Sequence, residues 1–283
     1  MDQRDRPFRS MLYIPGAKQR ALEKAAGLAT DAIIFDLEDA VAPETKAEAR
    51  NTLAAALRDI DYGPRAKIVR INALDTEWGP DDIAALAGLA LDGLLLPKVD
   101  GARDIEVLAA AMPEAPLWAM METPLGVLNA GEIAAHERMA GFVMGTNDLA
   151  KELGSTGREA LGTALQTCLL AARAHGRVAV DGVFNAFRDA EGLRGECIEG
   201  RDLGFDGKTL IHPDQLAIAN EIFAPDAAAI DLARRRIDAF EAAQAAGEGV
   251  AVVDGAIVEN LHVETARRTL ARAEMIEKLK GDA

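Results

Sequence analysis

The chain has 283 residues, a formal net charge of −15 and a hydrophobic share of 49%. That length suits one large α/β domain or two ordinary ones and can bury a core without disulfide or metal staples. The acidic balance argues against a broad nucleic-acid or anionic-membrane surface, which lysine and arginine would have to supply. No nucleic-acid and no membrane partner is therefore expected. The two cysteines, Cys168 and Cys197, sit singly in helix-like apolar stretches, so buried, inert thiols and a reducing compartment are expected. The opening MDQRDRPFRS is too polar for a signal peptide, and no apolar run reaches membrane-spanning length. A cytoplasmic location is the expectation.

Apolar runs fall at 10–15 (SMLYIP), 31–38, 66–72, 92–98, 116–122, 141–148, 177–183 and 207–212. Helix-like segments separate them, at 17–29, 44–58, 79–90, 103–111, 128–136, 159–175 and 188–203. This strand–helix alternation implies parallel strands joined by helical crossovers. The runs are continuously apolar, as in strands covered on both faces. Eight such units predict an α/β fold of the (β/α)8 TIM-barrel type over residues 1–224, with an open doubly wound sheet as the alternative. PGAK at 15–18 lacks the spacing of a dinucleotide or P-loop motif, which disfavours nucleotide chemistry.

The pattern changes in the tail. Residues 226–246 read as one amphipathic helix, AVV–DG–AIV as a hairpin about Asp254-Gly255, and about 262–280 as a last helix. Residues 225–283 thus form a C-terminal helix–hairpin–helix appendage. A hairpin and helix of this size need a partner surface, on the barrel or on a neighbouring subunit.

Barrel enzymes place their sites at the C-terminal ends of the strands. The polar residues expected there are Asp36, Glu38, Asp39, Arg70, Asn72, Lys98, Glu122, Asn147, Asp148, Asp181, Lys208 and His212. Glu122 ends the fifth strand and Asp148 the sixth. Adjacent strands are roughly 5 Å apart, so the two carboxylates can share a cation. Oxygen-only ligands suit Mg²⁺ or Mn²⁺ better than zinc. The competing reading makes Asp148 a helix cap. Arg70, inside an apolar strand, needs an anionic partner. That partner is either a substrate oxygen or the Asp36/Glu38/Asp39 cluster, whose carboxylates alternatively stand behind the metal and hold its waters. His212 reads as a structural hydrogen-bonding residue. Lys18, Arg20 and Lys24 open the first helix, either as a diphosphate site or as solvated surface.

RSMLYIPG, DAIIFDLEDAV, VRIN, LPKV, METPLGVLN, GTNDLAKELG and GFDGKTLIHPDQ, in that order, resemble the HpcH/HpaI aldolase and citrate lyase β-subunit superfamily across nearly the whole chain. LWAMMET, GTNDLAKELGS and VAVVDGAIVENLH look most like the branch that hydrolyses (3S)-malyl-CoA. Its sister branches are malyl-CoA, β-methylmalyl-CoA and citramalyl-CoA lyases. The resemblance implies a barrel assembled as a homotrimer or homohexamer that binds acyl-CoA esters with Mg²⁺. It implies Glu122 and Asp148 as metal ligands, Arg70 on the thioester or carboxylate oxygen, and Tyr13, Arg20 and Lys24 as coenzyme A contacts. Relatives tend to carry lysine where this chain has Arg20. Lyases of the family carry an aspartate in the C-terminal hairpin, where this chain has Glu259.

The activity so implied is Mg²⁺-dependent hydrolysis of malyl-CoA to malate and CoA, with Glu259 activating water or attacking directly. Two alternatives stand beside it. One is a carbon–carbon lyase using the same site. The other is a CoA-ester-binding accessory subunit of a citrate-lyase-like complex. An aldolase acting on free acids is disfavoured by the basic segment near the N-terminus.

Overall fold

The computed structural model describes residues 6–281. Residues 8–223 form one compact unit, and 224–281 belong to a second together with Arg6 and Pro7. In the first, β1 (Ser10–Pro15), β2 (Ala32–Asp36), β3 (Ala66–Arg70), β4 (Gly93–Leu96), β5 (Leu117–Met121), β6 (Met139–Met144), β7 (Val178–Asp181) and β8 (Gly207–Leu210) are all present. Every neighbouring pair is parallel, and β8 returns to β1, with Ser10 opposite Lys208, to close the barrel. The predicted TIM-barrel architecture is thus observed, and the open-sheet alternative falls with the β8–β1 pairing.

The crossovers are α1 (Gln19–Ala25), α2 (Lys46–Asp59), α3 (Gly79–Leu86), α4 (Ala102–Ala111), α5 (Pro124–Leu128), α6 (Ala130–Ala135), α7 (Thr146–Glu152), α8 (Gly162–Ala174), α9 (Ala190–Leu203) and α10 (Leu216–Ile222). The helix expected at 128–136 is present as α6, and the short α5 before it was not anticipated. The Thr123 side chain accepts from the Gly126 amide and Pro124 follows it, so a helix starts early there. A break at Asn129 then separates it from α6. The short α10 was not anticipated.

Strand side chains alternate between two buried clusters. Met11, Ala32, Ile34, Ala66, Ile68, Leu95, Trp118, Met120, Val143, Val178 and Val180 fill the barrel interior with Phe8. Their strand neighbours, among them Leu12, Ile33, Phe35, Val69, Leu94, Ala119, Phe142 and Ala179, join helix residues in the layer outside. This is the period-two geometry of a strand expressed in a closed sheet. Trp118 is fully buried and meets Phe8 edge-on, with ring centroids 5.1 Å apart. A Cβ on Gly141 would stand 2.6 Å from Trp118 Cζ3 and 2.7 Å from the Val178 carbonyl oxygen, so only glycine leaves room for the indole.

In the second unit, α11 (Ala227–Ala245) is capped by Asp226, whose side chain accepts from the Ala229 amide at 2.7 Å. The expected hairpin is present as β9 (Ala251–Val253) and β10 (Ala256–Val258). Asp254 and Gly255 have φ of +51° and +78°, the sign a two-residue type I′ turn requires at both positions. α12 (Asn260–Gly281) follows. Phe240, Ala243, Ala251, Val253, Val258 and Val263 form this unit's own apolar cluster. Val252 and Ile257, opposite each other on the other hairpin face, are exposed. No helix of the described residues is long and apolar enough to cross a membrane.

Because a backbone carbonyl cannot yield, Gly141→Ala is expected to cost about 1–3 kcal/mol through overpacking, and Trp118→Ala about 3–5 kcal/mol through the cavity left behind. Urea-unfolding midpoints of the two variants measure both losses; an unchanged midpoint for Gly141→Ala would contradict the interlock.

Candidate active site

A cavity of about 450 Å³ opens in the barrel unit at the C-terminal strand ends, lined in part by Tyr13, Asp36, Arg70, Glu122 and Asp148. The strand-borne members continue the inward parity. Tyr13 follows Met11, Asp36 follows Ile34, Arg70 follows Ile68, and Glu122 follows Met120, one residue past the end of β5. The site is thus the top layer of the barrel interior, where polar side chains replace apolar ones.

Arg70 is buried and held at one end by Asp36, to which its Nε donates at 2.8 Å and its Nη2 at 2.6 Å. Its Nη1 is 3.0 Å from Glu38 Oε2 and donates to Asp39 at 3.3 Å. The Glu38 contact is an ion pair without an aligned hydrogen bond. The Tyr13 ring lies 5.0 Å from the guanidinium carbon, a cation–π contact. Asp36, Glu38 and Asp39 therefore all face Arg70, which was the second of the two sequence readings for the cluster. Asp36 grips the guanidinium firmly, whereas Asp39 is 63% exposed and holds it loosely.

Glu122 is buried, and its Oε1 accepts from the Lys98 amide at 2.8 Å. Burial pushes its carboxyl up to about 7, and the nearby Glu38 and Asp148 charges add to the rise, while the Lys98 amide and Arg70 oppose it. Asp148 is the third residue of α7 and does not cap it; the cap position is Gly145. The carboxylate accepts no hydrogen bond from a described residue, and it sits where a helix N-terminus favours negative charge. The helix-cap reading of Asp148 therefore fails, and its oxygens are free to take another partner.

Glu122 and Asp148 line one cavity with no histidine or cysteine among its lining residues. An all-oxygen pair beside a buried, uncompensated negative charge fits a hard divalent cation. No group of three or more His, Cys, Asp or Glu with metal-holding geometry occurs among the described residues. A cation at the pair would take its other ligands from water and substrate, as Mg²⁺ commonly does.

Four of the expected strand-end residues serve elsewhere. Asp181 and Lys208 have the outward parity of Ala179 and Leu210, so they lie in the layer beneath the helices. There Asp181 accepts from Lys208 Nζ at 2.8 Å and from both Nη atoms of Arg158 at 3.0 Å. Asn72 is tied to Asp82 at 2.7 Å and to the Leu37 carbonyl at 3.0 Å. His212 caps the turn Pro213–Gln215 and stacks on Phe187 at 4.7 Å. Asn147 does line the cavity, where it exchanges side-chain hydrogen bonds with Asn185. Asn185 was not anticipated, because it lies in the loop after β7 with no apolar run to mark it.

Arg20 and Lys24 are exposed on α1 and are not among the cavity-lining residues. Glu259 is exposed in the second unit, on the link from β10 to α12. Its amide donates to His262 Nδ1 at 3.0 Å, and its carboxylate accepts no hydrogen bond from a described residue. Cys168 and Cys197 are buried, and burial pushes their thiols up to about 12 and about 11. They carry no thiolate at neutral pH.

Among curated proteins, the (3S)-malyl-CoA thioesterase of Cereibacter sphaeroides is 65% identical over 273 residues, covering 95% of this chain and 96% of that one. The L-malyl-CoA/β-methylmalyl-CoA lyase of the same species is 35% identical over 96% of both chains. Among solved structures, the CitE protein of Mycobacterium tuberculosis in complex with magnesium, acetoacetate and coenzyme A superposes with a TM-score of 0.80 at 32% identity, over 95% of this chain and 99% of that one. Residues 9–213 match the HpcH/HpaI aldolase/citrate lyase family, a stretch that spans the barrel and every strand-borne residue of its cavity. The chain is a member of the HpcH/HpaI aldolase/citrate lyase family.

Proposed function

We propose that this protein is a Mg²⁺-dependent thioesterase that hydrolyses (3S)-malyl-CoA to malate and free CoA. The observation that carries the reading is the 65% identity, over nearly the whole of both chains, to a thioesterase of that specificity. The cavity chemistry supports it. Glu122 and Asp148 would hold the cation, with Mn²⁺ as an alternative to Mg²⁺ of the same oxygen preference. When bound, the cation neutralises charge and polarises the substrate oxygens it touches.

The protein's own residues do the rest. Asp36 fixes two nitrogens of Arg70 and leaves Nη1 as the exchangeable arm. That arm lets go of exposed Asp39 and donates to the thioester oxygen, where negative charge develops as water adds to the carbonyl carbon. Tyr13, with a hydroxyl spent only on the weak acceptor Met120 Sδ at 3.5 Å, orients the acyl group. Glu259 takes a proton from the attacking water. The carbon–sulfur bond then breaks, and the departing thiolate takes the proton held by Glu259 and leaves as CoA, while the new carboxylic acid loses its proton to solvent. Arg20 and Lys24 would meet the coenzyme A diphosphate from α1. We assign the active assembly as a homotrimer or homohexamer in which Glu259 serves its own or a neighbouring subunit. Lone, buried cysteines suit work in the reducing cytoplasm.

Product analysis decides between hydrolysis and carbon–carbon cleavage. Purified protein with malyl-CoA and Mg²⁺ is expected to release malate and one free thiol per turnover; glyoxylate and acetyl-CoA would instead establish the lyase. A protein inert without partner chains would establish the accessory subunit.

Glu259→Gln is expected to lower kcat by about 10²–10⁴, the usual worth of a general base, with Mg²⁺ affinity unchanged. Glu259→Asp is expected to lose hydrolysis and to shift residual product toward glyoxylate and acetyl-CoA. A Glu259→Gln enzyme with wild-type kcat would remove the residue from the mechanism.

Glu122 must be ionised to hold a cation, and its carboxyl sits near 7 in the metal-free protein. Mg²⁺ affinity is therefore expected to be at its plateau above that pH and to fall by up to about tenfold per unit below it. Calorimetric Mg²⁺ titrations at pH 8, 7 and 6 test this. The metal-free protein should show the opposite sense. Its folded carboxyl lies above the ordinary value of 4.5, so stability declines as pH rises from 4.5 to about 7.

A further inference from the structure

Glu122 carries the cation in this reading, and its own orientation has a visible cause. Lys98, two residues past β4, has φ of +51°. A lysine in the left-handed region is uncommon, because its Cβ crowds the backbone. Here that conformation serves two contacts at once. The Lys98 amide donates to Glu122 Oε1 at 2.8 Å, and the Lys98 ammonium donates to Glu38 Oε1 at 2.8 Å. Gly145 closes the other side of the same carboxylate, since a Cβ there would stand 2.5 Å from Glu122 Oε2. The carboxylate is thus gripped between one backbone amide and one bare Cα.

The ammonium contact bears on Arg70. Glu38 is buried, with one oxygen on Lys98 and the other 3.0 Å from Arg70 Nη1. Without the lysine, Arg70 would be the one cation left within ion-pair distance of the Glu38 carboxylate among the described residues, and the exchangeable arm of Arg70 would be drawn to it. A buried carboxylate deprived of one partner pulls harder on the other.

We propose that Lys98 is a positioning residue with two separable tasks. Its left-handed backbone aims an amide at Oε1 of Glu122, the carboxylate that would hold the cation, and its ammonium occupies Glu38 so that Arg70 stays available to the acyl-CoA. The inference rests on the metal and substrate roles proposed above. It is distinct from them, because Lys98 is not among the residues lining the cavity and need not touch the substrate.

The two tasks come apart by substitution. Lys98→Gly keeps the left-handed backbone and deletes the ammonium. Lys98→Val carries a β-branched side chain that φ near +51° does not accept. Mg²⁺ binding is measured by calorimetry without substrate, and KM and kcat for malyl-CoA are measured separately. Lys98→Val is expected to lose about 10- to 100-fold in Mg²⁺ affinity, the range for losing a partner that orients a ligand. Lys98→Gly should bind Mg²⁺ almost as wild type but show KM raised about tenfold, with Lys98→Arg restoring it. If Lys98→Val does not fold, Lys98→Ala, with intermediate strain, is expected to show a smaller loss of affinity. Equal Mg²⁺ affinity in the strained variant and wild type, or equal losses in Lys98→Gly and Lys98→Val, would overturn the backbone task. An unchanged KM in Lys98→Gly would overturn the ammonium task. A wild-type enzyme that does not turn over malyl-CoA would sink the proposed function, yet leave the Mg²⁺ comparison standing as a test of the backbone.

Discussion

Everything at this site depends on the alternation of side chains in a closed parallel sheet. Eight strands send every second residue inward, and the interior is filled up to the level of Trp118 and Met120. One layer higher, the same inward positions hold Tyr13, Asp36, Arg70 and Glu122. Each sits on or directly after a strand whose lower residues are locked by packing. The polar layer inherits its rigidity from the apolar one below, which is how a barrel presents charged groups without waiting for a ligand to order them.

That alternation also explains what the sequence could and could not disclose. The eight strands were legible because burial on both faces makes each a continuous apolar run. Arg70 stood out because a guanidinium within such a run must find an anion. Parity was harder to read. A run marks a strand but not the residue at which it leaves the sheet, and a shift of one residue turns a side chain from the cavity to the helix layer. Asp181 and Lys208 fall outside the cavity for that reason, and Asp181 pairs with both Lys208 and Arg158 beneath the helices. Lys98 presented the reverse difficulty. It was visible as a strand-end lysine, but its left-handed backbone and its amide bond to Glu122 are properties of a turn that composition does not encode.

The second unit sets a different limit. Its helix, hairpin and helix were readable from a Gly-containing two-residue turn and helical periodicity. The role proposed for Glu259 was not, because its position in the chain says nothing about which site it would serve. Only the comparison of glutamate with the aspartate expected in lyases singled it out. One extra methylene changes where a carboxylate can reach while leaving its acidity nearly the same. A difference between hydrolysis and carbon–carbon cleavage can therefore rest on reach, with the rest of the cavity held in common.

Charge balance closes the argument for the cavity. Asp36, Glu38, Asp39, Glu122 and Asp148 face or adjoin it; Arg70 and Lys98 pair directly with the first two of these carboxylates, and buried Lys46 stands behind the cluster on the Leu37 and Glu38 carbonyls. Asp36 and Glu38 are matched by those cations, so the surplus gathers at Asp39, Glu122 and Asp148. Asp39 is exposed and solvated, which leaves Glu122 and Asp148 as the pair whose charge the protein does not answer. An acyl-CoA ester is itself anionic, and a malyl group brings one more carboxylate. Without a cation at Glu122 and Asp148, such a substrate would enter against the field of the site. A divalent cation there would neutralise the two charges, and the substrate's carboxylate would then meet Arg70 without their opposing field. The burial and neighbouring carboxylates that raise the Glu122 carboxyl thus also set the field that an anionic ligand would meet, and a cation held by the proposed pair would relieve both.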